Sequence, residues 1–344
     1  MYFLVSIATE SFHRVMTMRV LYRQLGVKVS ATRDAPELLR RVRHSFGGRL
    51  VLLDWDTGEV LADTAVTGVS GMATQDQTVV AGSWIDQCVY ILSRDGEVSS
   101  ITHPWFNYIH SVDITPDGTF LLASAGSDLI IELTPGGDVV WYWFGPEHGY
   151  DTCPDGSVAF FDRNTDYRGM RRSTAEQAMH VTSAIQVSRR SVLATLFHQG
   201  TLVVIDRETG RARTLLGGLC RPHGLHRIDG GFMLSDTLGH RILLLDSQFA
   251  VRSEISFGCQ WLQDTIVTSA GTYLALENVH IDQLPEPGLT NKITEIDGRG
   301  KRLRSVDVGP NARLFTAHEL DEDHASSLAS VWGRSGRVRG WDRN

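Results

Sequence analysis

Histidine recurs at one place in a repeating unit of this chain. Imidazole is the side chain best suited both to metal ligation and to proton transfer near neutral pH. The instances are Tyr108-Ile109-His110-Ser111-Val112, Glu147-His148-Gly149-Tyr150-Asp151, Met179-His180-Val181-Thr182-Ser183, Arg221-Pro222-His223-Gly224-Leu225 and Thr316-Ala317-His318-Glu319-Leu320. Most sit at the start of a short apolar run, a few residues before a polar turn. A side-chain type that keeps one register in a closed repeat converges in space. Two chemistries suit such a ring. In the first, neutral imidazoles bind a divalent transition metal (Fe, Zn, Mn or Cu) and leave a position open for water or substrate. His110, His180, His223 and His318 are then the ligands, and Asp113, Asp151, Asp264, Glu277 and Glu319 are carboxylates that would orient them. In the second, histidine acts directly as acid, base or nucleophile, with a cation such as Arg221 steadying charge. Several protonated imidazoles in one place repel each other, which favours the metal.

The elements that must position these side chains are short and β-rich. Gln77 to Ser83, then Cys88 to Leu92, then the turn Ser93-Arg94-Asp95-Gly96 form one instance. The same order of strand, loop, strand and tight turn recurs from Thr119, Ser191, Gly231 and Thr272. With the histidine strand in front, each unit holds four strands. Four-stranded units at a period of about 40 residues predict an all-β fold, a single β-propeller whose first strands line a central channel.

Channel strands are expected near Val69, His110, His148, His180, His223, Gln263 and His318, which gives seven blades, with six as the alternative. Arg49 to Glu59 reads as the end of a blade with no beginning, and Leu314 to Leu320 as a beginning with no end. The two predict a closing blade built from 49–66 and 312–333, within a propeller spanning 49–333. Residues 1–48 then form an appendage with helical patterning over Ser11 to Leu25 and Ala35 to His44, and 334–344 a flexible tail.

Composition narrows the function. The net charge of −7 gives no electrostatic case for nucleic acid or an anionic membrane. No apolar run approaches the ~20 residues of a bilayer span. The first residues make a poor signal peptide, and Cys88, Cys153, Cys220 and Cys259 are scattered with no CxxC pair. A cytoplasmic protein with free thiols is expected. Trp84, Trp261 and Gln263 are candidates for holding a small-molecule substrate, and His148, Arg221 and Glu277 for catalysis.

Two groups of motifs carry a family resemblance. His180-Val181-Thr182-Ser183 followed by Leu193 to Gly200, and His110-Ser111-Val112-Asp113-Ile114 with Val139-Val140-Trp141, resemble the arylsulfotransferase-like β-propellers. Arg221-Pro222-His223-Gly224-Leu225 and Ser235-Asp236-Thr237-Leu238-Gly239-His240-Arg241-Ile242 look like blades of the NHL type and of streptogramin lyases. The likeness spans roughly residues 65–310. The first resemblance implies a central histidine that accepts sulfate, with Thr182 standing where that motif has Asn. The second implies a divalent metal and a catalytic histidine in the channel. The reading favoured here is a metal-dependent enzyme (a lyase, isomerase or oxidoreductase) acting on a small molecule. The alternatives are metal-free group transfer of the arylsulfotransferase type and a non-catalytic propeller that binds ligand or protein.

Overall fold

The computed structural model describes residues 1–15, 45–170, 172–280 and 288–333. Of the helical segments expected over Ser11 to Leu25 and Ala35 to His44, residues 12–15 are helical, and the parts within 16–44, with the tail 334–344, lie outside the described residues. Six four-stranded antiparallel sheets are arranged as blades. The first contains β1 (Tyr2–Thr9), β2 (Arg49–Asp54) and β3 (Glu59–Ala65). The second is β4 (Val69–Gln75), β5 (Thr78–Ser83), β6 (Cys88–Leu92) and β7 (Val98–Thr102). The third is β8 (Ile109–Ile114), β9 (Phe120–Ser124), β10 (Leu129–Leu133) and β11 (Val139–Phe144). The fourth is β12 (Val181–Ser188), β13 (Ser191–Leu196), β14 (Thr201–Asp206) and β15 (Ala212–Leu216). The fifth is β16 (Pro222–Ile228), β17 (Gly231–Asp236), β18 (Arg241–Asp246) and β19 (Val251–Ser256). The sixth is β20 (Trp261–Val267), β21 (Tyr273–Asn278), β22 (Asn291–Ile296) and β23 (Arg302–Gly309). The last strand, β24 (Arg313–Leu320), becomes the innermost strand of the first blade. Helix α1 (Glu322–Trp332) follows and packs on β3.

The first blade shows how the ring is latched. β1 lies between the two ends of the chain, with Leu4 opposite His318 on one side and Leu52 on the other. The expected appendage boundary at residue 48 is therefore corrected, because Tyr2–Thr9 is a blade strand. A strand this apolar (seven of its eight residues are buried) finds its partners inside the ring.

The expected seventh blade is also corrected. His148 ends a short 3-10 turn, Gly145–His148. Of the residues between it and β12, only Thr152 and Val158 make a bridge among those described. That stretch lacks the apolar alternation needed to face two neighbouring blades, and it runs as a long connection between the third and fourth.

One apolar cluster fills each of the six gaps between blades, and successive residues of a strand serve opposite gaps. Phe3 and Val5 face the sixth blade with Leu274 and Leu276, while Leu4 faces the second with Val79 and Ala81. This is why the strands read as continuous apolar runs. Small hydroxyls lace the inner strands together. Ser6 donates to Ser70 O at 2.9 Å, Ser70 to Ile109 O at 2.6 Å, and Thr182 to Pro222 O at 2.7 Å.

Candidate functional site

The inner strands β4, β8, β12, β16 and β20 each contain an irregular step near their start. A bulge inserts a residue and re-aims the side chains around it. In β16 the shift falls between His223 and His226. Residues three apart face opposite sides of a regular strand, yet both of these histidines line the channel cavity. Gly224 occupies the bulge with φ of +54°, and a Cβ there would lie 2.3 Å from Asp264 Oδ1.

Tyr108, His180 and Arg221 immediately precede β8, β12 and β16, and all three have left-handed backbones, with φ of 56°, 49° and 57°. Such a conformation costs a non-glycine residue about 1 kcal/mol or more and persists only where its surroundings impose it. At His180 the cause is Asp128. Its buried carboxylate accepts the N–H groups of Ala178, Met179 and His180 at 2.7, 2.9 and 2.9 Å. The rings gathered at this end of the channel pack closely. His110 lies 5.3 Å from His180, 5.2 Å from His223 and 4.7 Å from Phe315, centroid to centroid. Phe197 covers His180 at 4.8 Å, and Trp261 flanks His223 at 5.6 Å.

Hydrogen bonds set the tautomers. His110 Nδ1 donates to Thr182 O at 2.8 Å and His223 Nδ1 to Arg221 O at 2.9 Å, since a carbonyl can only accept. Their Nε2 atoms therefore carry lone pairs. Burial pushes the His110 pKa down to about 4 and holds His223 well below the ordinary imidazole range, where the His110 charge would add to the effect.

Beneath these rings lies a cavity of about 530 Å³, lined by His110, His223 and Phe315 and, further along the strands, by a second polar group. His226 Nε2 is 2.6 Å from Asp264 Oδ1. Asp264 also accepts from Thr316 Oγ1 at 2.5 Å and from Thr265 N at 2.8 Å. Burial alone would depress His226, but the charge and hydrogen bond of Asp264, with Asp113 adding, raise its pKa. His318 Nε2 donates to Met72 O at 2.8 Å, which leaves Nδ1 as its basic atom. Burial, and then the nearby His226 charge, lower the His318 pKa. Arg227 spans from the fifth blade to the third, gripping Asp113 with two hydrogen bonds of 2.8 and 2.9 Å.

The structure separates the expected site residues. His110, His180 and His223 do meet, but His318 is the sixth residue of β24 while His110 and His223 are second in theirs. Phe315 of β24 is the residue that packs on His110, and His318 lies three residues beyond it, roughly 10 Å further along the channel. Among the described residues no three His, Cys, Asp or Glu side chains are disposed to hold a metal ion. The four-imidazole ligand set is thus corrected. His148 is outside the channel, stacked on Trp143 at 5.2 Å. Glu277 is held away from the channel by Arg302 and Thr294 in the sixth blade. Arg221 sits over the Phe197 ring. Trp84 stacks on Phe46 near the N-terminal strand, and Trp261 donates to Gln263 at 2.8 Å. Of the three expected substrate contacts only Gln263 lines the cavity. His226, Arg227 and Thr316 escaped the sequence reading. The spacing His223-x-x-His226 was the available signal.

Solved structures with this architecture were found. A protein of unknown function from Bacteroides caccae is 15% identical, with a TM-score of 0.56 over 78% of this chain and 93% of that one. A streptogramin B lyase is 11% identical, with a TM-score of 0.53 over 80% and 87%. A nidogen/laminin complex is 11% identical, with a TM-score of 0.56 over 92% and 97%. The chain has the β-propeller fold. At such identities the likeness is one of fold alone. No protein-family model and no curated protein matches the chain. Among the described residues no helix is long and apolar enough to cross a membrane.

Proposed function

We propose that the channel cavity binds a small polar molecule and moves a proton on it, with His318 as general base and His226 as general acid. The observation that supports this most is the pairing of two imidazoles in one cavity whose surroundings push their pKa values apart. Such a split separates the acid from the base. His318 presents the lone pair of Nδ1, and His226, protonated against Asp264, presents Nδ1–H. Asp264 stays ionised and fixes the ring, while Thr316 and Thr265 N hold the carboxylate in place. A cavity of this size suits a metabolite. Proton abstraction with protonation of an oxygen is the step shared by isomerases and lyases.

The arrangement makes a test possible before the substrate is identified. Incubation in D2O with a panel of small carbon acids should label one of them at carbon. His226→Gln and His318→Gln should each slow that exchange by about 10²–10⁴-fold. The rate should climb as pH rises through the lowered His318 value and fall again through the raised His226 value. Exchange that survives both substitutions would sink the proposal.

The donor geometry gives no four-imidazole site, so no step is routed through a metal. Thermal unfolding with and without excess EDTA should coincide within about 1 °C, because a ligand bound only to the folded state would raise the midpoint. A drop of several degrees on chelation would contradict this.

A further inference from the structure

We propose that His110, His223 and Gln263 form a second subsite in the channel cavity, one that binds a neutral hydroxyl group of the ligand. All three side chains line the cavity, and each is at most 4% exposed. The Nδ1 of both imidazoles is committed to a backbone carbonyl, so Nε2 can only accept. Among the described residues, the buried side-chain atoms sealed from solvent without a partner are Gln186 Oε1, Thr201 Oγ1, His240 Nδ1 and His324 Nε2. Neither Nε2 is of that kind, and neither receives a hydrogen bond from the described residues, so both open on the cavity. Trp261 orients Gln263. An indole N–H can only donate, so the amide oxygen faces it at 2.8 Å and the NH2 group is left for the cavity.

Two acceptors and one donor in one place complement a hydroxyl, which donates once and accepts through its lone pairs. Other polar groups fit less well. A carboxylate or phosphate would face two lone pairs and would bind only after an imidazole took up a proton. Burial, then the His110 charge, and behind them the guanidiniums of Arg313 and Arg221 keep that proton off His223. An ammonium would lose its hydration and meet the same positive field. Phe315, 4.7 Å from His110, supplies an apolar wall for the attached carbon.

The subsite lies at a fixed remove from the acid and base. His223 and His226 are three residues apart on β16, roughly 10 Å along the channel. Joined to the proton-transfer reading above, on which this step rests, the subsite names the substrate class. It is a neutral hydroxylated carbonyl compound, with its acidic carbon at His318 and His226 and a hydroxyl on a more distant carbon held by the imidazole pair.

NMR of the full chain labelled with 15N-histidine reads the subsite directly, because an imidazole nitrogen that accepts a hydrogen bond changes its resonance. Titration with glycerol, xylitol and sorbitol, which carry hydroxyls and no carbonyl, should move the Nε2 signals of His110 and His223 saturably with at least one of the three. Acetate and methylammonium should leave them in place. His110→Phe and His223→Phe keep a ring and remove the acceptor, and each should weaken the alditol about tenfold. Nε2 signals unmoved by all three alditols would overturn the proposal, as would acetate binding with protonation of either ring. Deuterium exchange at carbon that is as fast for deoxy compounds as for their hydroxylated counterparts would overturn the substrate class. Alditols bound at the two rings with no exchange on any carbonyl compound would uphold the subsite and remove only the proton-transfer reading.

Discussion

Replacing Asp128 with alanine should destabilise the folded chain by about 4 kcal/mol or more. The buried carboxylate accepts three consecutive backbone N–H groups that have nowhere else to turn. Each buried donor left without a partner costs about 1–3 kcal/mol, which places the change among the severe ones. The site should suffer along with the fold, because the same amides hold His180 in its left-handed backbone. Asp128→Asn offers a contrast. Its single amide oxygen can still accept from Met179 and His180, but its NH2 group would face the Ala178 N–H, so this variant should recover only part of the loss. Urea unfolding checks both, read as a shift in midpoint at constant slope. A loss below about 1 kcal/mol for the alanine variant would refute the accounting.

The second large effect is acid loss of stability carried by the buried imidazoles. His110 has a folded pKa of about 4, against roughly 6.5 in the unfolded chain. Between these values the unfolded chain binds the proton and the folded chain does not, so stability falls as pH drops. The full window is worth on the order of 3 kcal/mol for His110 alone. His223 is depressed in the same direction and adds to the slope. His226 has the opposite sign. Its pKa is raised, so its contribution is complete below the ordinary imidazole value and is lost as pH climbs through the raised one. Urea unfolding from pH 7 to pH 5 should therefore show a steady decline that flattens in His110→Gln. An unfolding free energy constant across that range would rule out neutral burial of these rings.

The legible part of the fold and site follows from local pattern. Runs such as Leu129-Ile130-Ile131-Glu132-Leu133, bounded by turns, announce strands buried on both faces, and four of them per unit announce blades. β1 went unnoticed before residue 48 because its partners, β2 and β24, lie 40 and more than 300 residues away. The extra blade at His148 arose because a histidine beside a turn resembles the others in the string, whatever follows it.

The convergence of His110 and His223 was readable because both are the second residue of an inner strand, whereas His180 sits two places earlier, where the other blades have Tyr108 and Arg221, and reaches the same end of the channel from there. The composition and repeat of the chain thus pointed by themselves to a ring of blades with imidazoles at its centre, since apolar strands must be covered on both faces and repeated four-stranded units that pack only on their neighbours leave no bare face when the ring closes. Which imidazoles face each other was decided only in three dimensions. The bulge in β16 turned His226 toward Asp264, and the register of β24 carried His318 away from the other rings and toward them. Shifts of a residue or a few along a strand reassign side chains to another face or another depth of the channel, and they are set by pairing with strands distant in sequence.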